Sequence, residues 1–213
     1  MISSVSIEAN PDIRFGWYLR PSRQMSDAQI RIHRLLEYQY GMIGGGVFMP
    51  HATIKGFFRS DASVNDIRAA IDRALEGHTA YAVHNGGAQP YGNTSITLDV
   101  HHNADGTVNQ AQQDLHESVW EHILPLVHPE CNFTPVEGAL ENFRAHLTLS
   151  MADMQPAFFD EIWEFVHADG PIGPESFIAE YFHLFAFHSE NWYGKWWETL
   201  TWKLVHGWRL PAS

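Results

Sequence analysis

Two short segments of this 213-residue chain carry the same pattern. Met49-Pro50-His51-Ala52-Thr53-Ile54-Lys55 and Arg144-Ala145-His146-Leu147-Thr148-Leu149-Ser150 each contain His, apolar, Thr, apolar. Alternation along a strand places His51 and Thr53 on one face with Ala52 and Ile54 on the other, and relates His146 to Thr148 in the same way. Each segment therefore presents an imidazole beside a hydroxyl. Imidazole titrates near neutrality, so of two rings one can be neutral and the other protonated at working pH, a base and an acid flanking a reacting atom. Threonine hydroxyls beside them can donate hydrogen bonds to phosphoryl oxygens as charge builds there. Among 14 histidines a single His-x-Thr is expected by chance, whereas two with apolar flanks in matching surroundings are not.

The same strand geometry ranks the neighbours. Lys55, four positions beyond His51, falls on the His51 face and could offset phosphate charge, or be a solvated lysine at a strand end. Ser150 stands in the equivalent place after Thr148 and could add a hydrogen bond. Tyr18 and Arg20 share a face of an earlier strand, where Arg20 could reach a phosphate or simply cover the surface before Pro21. The C-terminal aromatics Trp192, Trp196, Trp197, Trp202 and Trp208 are dense enough to be core. Trp192 and Tyr193 are the loop residues most free to stack on a nucleobase.

Interleaved strands and helices must carry these residues. Strands are predicted at 13–19, 47–58, 79–84, 94–101, 144–151, 176–188 and about 199–210 from their β-branched and aromatic content and bounding turn residues. Helices are predicted from Ser26 to Gly41, from the Ser63-x-x-Asp66 capping pattern to Gly77, over 109–127, and from Asp153 and Pro156 to Gly170. Gly44-Gly45-Gly46 reads as a turn, as does the stretch 85–93. Each His-x-Thr strand is followed by a capped amphipathic helix, so the two halves of the chain repeat a unit. If the halves pack about a pseudo-twofold axis, the two His/Thr pairs converge across a cleft.

Composition removes other function classes. Thirteen Lys+Arg against 25 Asp+Glu leave a formal charge of −12, and long nucleic-acid duplexes are bound mainly by Lys and Arg at phosphates. Residues 1–106 hold 9 basic and 10 acidic side chains and residues 107–213 hold 4 and 15, so an anion site must lean on the first half. The lone Cys131 excludes an internal disulfide framework and a cysteine-based zinc site. His116 and His122 are six apart, off the i, i+4 spacing of a helical zinc site, and adjacent His101 and His102 face opposite ways, so no metal and no cofactor is expected. Gly44-Gly45-Gly46 lacks the Lys-Ser/Thr that completes a P-loop. Residues 1–8 lack the basic start and apolar run of a signal peptide, and no window reaches a membrane span, so a soluble, cytoplasmic monomer of α+β class is expected, folded as a single domain over 1–213.

The paired motifs, the strand ending Trp17-Tyr18-Leu19-Arg20-Pro21 and the Phe48-Met49-Pro50 lead resemble the 2H phosphoesterase superfamily, which includes bacterial 2′-5′ RNA ligase-like proteins and cyclic nucleotide phosphodiesterases. The resemblance implies a bilobal fold of two pseudo-symmetric antiparallel sheets with outer helices and a central cleft. It further implies metal-independent chemistry on a phosphodiester next to a 2′- or 3′-hydroxyl, with His51 and His146 as acid and base and Thr53 and Thr148 as phosphate ligands. The expected partner is a small nucleotide or an RNA end. The alternative is a non-catalytic module that binds phosphorylated RNA ends.

Overall fold

The computed structural model describes residue 7, residues 10–131 and residues 140–213; the rest of the N-terminal segment read above for a leader lies outside the described residues. Among the described residues no helix is long and apolar enough to cross a membrane.

β1 (Ile13–Leu19) is buried along its whole length, with Phe15 and Trp17 in the main core and Tyr18 on the opposite face. α1 (Arg23–Tyr40) starts before the predicted Ser26, because Ser22 is the N-cap and its hydroxyl accepts from the Met25 N–H; it ends as expected at Gly41, which takes the left-handed conformation (φ 70°). β2 (Ala52–Phe58) is shorter than the predicted 47–58, since residues before His51 form turns. α2 (Val64–Ala74) carries the predicted capping arrangement, with Ser63 Oγ accepting from the Asp66 N–H and donating to its carboxylate.

β3 (Tyr81–His84) is followed by β4 (Ala88–Tyr91), a strand inside the stretch that read as a turn. β4 tolerates Pro90 because it is a sheet edge. β5 (Ser95–Asp99), α3 (Gln110–Ile123), β6 (His146–Ser150) and α4 (Phe159–His167) lie within their predicted spans. The predicted 176–188 strand breaks at Glu180 into β7 (Ser176–Ala179) and β8 (Tyr181–His188), which belong to different sheets; β9 (Thr201–Arg209) closes the chain.

Among the described residues the strands form a seven-stranded antiparallel sheet, β4-β5-β6-β2-β1-β8-β9, and a two-stranded sheet, β3-β7. The large sheet is pinched in the middle: β2 and β6 are joined through the single pair Ala52–Leu147. It is therefore two arms, β4-β5-β6 and β2-β1-β8-β9, that meet along the two motif strands, rather than two separate sheets. α1 packs behind β6, and α3 packs behind β2 beside α2. The main core fills the space between sheet and helices; a second cluster of Tyr18, Phe57, Phe185, Phe187 and Trp192 covers the other face.

Candidate active site

The pinch places the N-terminal ends of both motif strands side by side. His51 Nδ1 lies 2.7 Å from the Met49 carbonyl and His146 Nδ1 lies 2.7 Å from the Arg144 carbonyl, in each case two residues back in the chain. A carbonyl only accepts, so Nδ1 donates in both rings and each neutral imidazole keeps its lone pair on Nε2. The two rings are thereby held in the same tautomer by the same local device. His51, Thr53, His146 and Thr148 together line a cavity of about 240 Å³, with Tyr18, Phe48 and Trp196 among its other walls. The Tyr18 ring stands edge-on to His51, their centroids 4.6 Å apart. Past Thr53 and His146 an adjoining cavity of about 340 Å³ is lined by Tyr91, His116, Asn142 and Arg144.

Burial pushes the His51 imidazole down to about 4; the Met49 carbonyl opposes this, and the charges of His146 and His33 add to it. Burial also lowers His146, against the upward pull of the Arg144 carbonyl and the Asp99 carboxylate. At neutral pH His51 is therefore a neutral ring able to accept a proton.

The motif strands are gripped from behind by side chains that sequence reasoning left without a role. On α1, Gln29 Nε2 (2.9 Å) and His33 Nε2 (2.8 Å) both bond the Thr148 carbonyl. On α3, His116 Nδ1 bonds the Ile54 carbonyl at 2.6 Å. Their signal was a polar residue on an apolar helical stripe: Met25, Gln29, Ile32, His33 and Leu36 all face inward on α1, as do Gln112, Leu115, His116 and Val119 on α3. Phe48 and Trp196 are further walls that alternation could not assign.

Several expected ligands lie elsewhere. Lys55 is buried, with its ammonium 4.8 Å from the Trp120 ring centroid and 5.6 Å from that of Phe58. The cause is irregular pairing of β1 with β2: Tyr18 faces Thr53, but Trp17 faces Lys55, so a register shift turns Lys55 to the core side. Trp192 is buried with its indole N–H on the Asp12 carbonyl, which removes it as a stacking platform. Tyr193 is exposed but lines neither cavity. Arg20 lays its guanidinium over the Tyr181 ring at 4.1 Å, outside both cavities. Tyr18 is the expected binding residue that does reach the site.

Ser150 is buried and its Oγ accepts the Ile96 N–H at 3.0 Å, where the pairing of β5 with β6 shifts register. Its hydroxyl thus replaces a missing ladder partner instead of facing substrate. Ser150→Ala is expected to cost about 1–3 kcal/mol by orphaning a buried N–H, read as a lower urea midpoint, with KM unchanged. A raised KM at unchanged stability would return Ser150 to the site.

Among the described residues no group of three His, Cys, Asp or Glu side chains converges to hold a metal ion. In this α+β fold the two His-x-Thr strands meet at a shared cavity. The sequence pattern of the 2′-5′ RNA ligase superfamily matches residues 26–186, and the chain belongs to that superfamily. The fold is similar to a Thermus thermophilus protein, TT0787, with a TM-score of 0.62 at 13% identity, covering 94% of this chain and 99% of that one. It is similar to E. coli LigT complexed with NADP+ (TM-score 0.54, 14% identity, 95% and 99% covered). LigT complexed with 3′-AMP gives 0.53 at 13% identity, with 93% and 98% covered. No curated protein sequence matches the chain.

Proposed function

We propose that the protein is a metal-independent phosphodiesterase that cleaves a small or terminal RNA-derived phosphodiester, a 2′,3′-cyclic phosphate or a 2′-5′ linkage. The observation that carries this reading is the matched pair of histidines, each locked through Nδ1 with Nε2 available, beside two threonines in one cavity. One Nε2 takes the proton from an attacking water or ribose hydroxyl while the other, protonated, delivers a proton to the leaving oxygen. The Thr53 and Thr148 hydroxyls donate to the nonbridging oxygens, where charge accumulates. The two adjoining cavities, about 240 and 340 Å³, are of the size that suits a mononucleotide or a chain end. The nucleotides held by LigT, NADP+ and 3′-AMP, are of the same chemical class. A net charge of −12 disfavours a long polyanion.

The test is incubation of the purified protein with 2′,3′-cyclic mononucleotides and 2′-5′-linked dinucleotides in EDTA, with products resolved as 2′- or 3′-phosphates. Turnover undiminished by EDTA is expected. Activity that needs added metal would overturn the mechanism, and binding of RNA ends without any turnover would identify a recognition module.

A further inference from the structure

The two motifs are equivalent in sequence and unequal in surroundings. On β5, Asp99 is the direct partner of His146 in the antiparallel pairing, and directly opposed residues project from the same face with Cβ atoms roughly 5 Å apart. The Asp99 carboxylate is held in place: Oδ1 accepts the His101 N–H at 2.8 Å and Oδ2 lies 2.7 Å from His102 Nδ1. Among the described residues the charges that act on His51 are those of His146 and His33, neither of them a carboxylate. Among the described residues lining its cavity are aromatic rings, hydroxyls and His146, and no carboxylate.

We propose that Asp99 is a positioning residue that gives the histidine pair its direction, making His146 the proton donor and leaving His51 as the base. The proposal rests on the acid–base reading above. In the step it describes, His51 Nε2 takes the proton of the attacking hydroxyl as its oxygen bonds to phosphorus. The bond from phosphorus to the leaving oxygen breaks, and that oxygen receives the proton from His146 Nε2. Afterwards His51 is protonated and His146 neutral, and exchange with water restores both.

The remaining charged and titratable neighbours do not reverse this polarity. His146 also meets His51 across the pinch, Tyr91 stacked beside it on β4, and Arg144 at the start of its own segment. His116 shares the adjoining cavity, and His33 lies behind β6 on α1. His101 is pushed down to about 4 chiefly by burial, so it is neutral at working pH; burial pushes Asp99 up, but its bonds to His101 and His102 together outweigh this and hold it below the usual carboxylate range. Asp99 is thus an ionised carboxylate that favours the protonated form of His146, whereas both charges acting on His51, from His146 and His33, oppose its protonation. A bound phosphodiester anion adds to the pull on the His146 proton.

Two measurements decide it. In an NMR titration of the imidazole Cε1–H signals, His146 is expected to titrate at higher pH than His51. Asp99→Asn should lower the His146 midpoint by about one pH unit and leave His51 unmoved. The reverse order, or a His146 midpoint indifferent to Asp99→Asn, overturns the proposal. The second measurement needs no change at Asp99: compare His51→Ala and His146→Ala on a ribonucleoside phosphodiester leaving as p-nitrophenolate, which departs without a proton. His146→Ala should regain at least about 100-fold of its lost rate on that substrate, and His51→Ala should regain none. Rescue of His51→Ala instead would exchange the roles. If the wild type turns over neither substrate, the phosphodiesterase reading fails, and the titration alone then decides whether Asp99 charges His146.

Discussion

Alanine at either His51 or His146 is expected to lower kcat/KM on a 2′,3′-cyclic mononucleotide by about 10²- to 10⁴-fold, the range supplied by a positioned general acid or base. Both rings are half-buried at the start of their strands, and each hydrogen-bonds through Nδ1 to a carbonyl two residues back in its own chain segment, so truncation leaves the ladder intact. Loss of activity should therefore come with a near-native urea midpoint. The double variant is expected to be little worse than either single one, because the two rings act together in one displacement step, one at the attacking and one at the leaving oxygen, and their losses are not additive. Product analysis at matched enzyme concentration checks this. Full activity in either single variant would remove the two-histidine mechanism, and additive losses would mean that the rings act in separate steps.

The candidate catalytic pair was legible because it depends on local geometry alone: a two-residue repeat and an apolar flank place His and Thr together on any regular strand. What depends on pairing was not legible. Lys55 follows the alternation rule in the sequence, yet the register shift between β1 and β2 turns it to the core, and nothing within 47–58 signals where such a shift falls. Ser150 fails for a related reason, since its hydroxyl repairs an irregularity that exists only once β5 is laid against β6. Asp99 could be found only through its register with His146.

Element types were read correctly where the hydrophobic period was long and capped, as in α2 and α3, and missed where tertiary context overrode local preference. β4 contains Gln89 and Pro90 in a turn-rich stretch and is a strand because β5 offers it an edge. Residues 176–188 read as one strand because Glu180, a single charge among aromatic and apolar residues, does not by itself end a strand, yet the switch between sheets falls there. The histidines behind the motif strands were visible in principle. His33 and His116 interrupt apolar helical stripes, and a polar group on a core face needs a partner, here the Thr148 and Ile54 carbonyls.

Gly45→Ala is expected to damage both stability and catalysis, because the glycine turn before His51 lies directly on the backbone of the other motif strand. A Cβ at Gly45 would sit 2.7 Å from the Leu149 carbonyl oxygen, and one at Gly44 would collide with that of Met151. These are main-chain atoms that cannot rotate away. The turn cannot easily retreat either, since the Asp153 carboxylate holds the Ile43 and Gly44 N–H groups at 2.6 and 2.7 Å. Relief must come from shifting β6 relative to the segment that leads into His51, which separates the two histidines. The expected cost is about 1–3 kcal/mol in urea unfolding, together with a loss of kcat/KM in the fraction that remains folded. Gly46→Ala is the control: its Cβ would meet His33 Cβ at 3.4 Å, an ordinary contact. If Gly45→Ala unfolds at the same urea concentration as Gly46→Ala and turns over substrate equally fast, then the glycine turn does not set the spacing of the two motif strands.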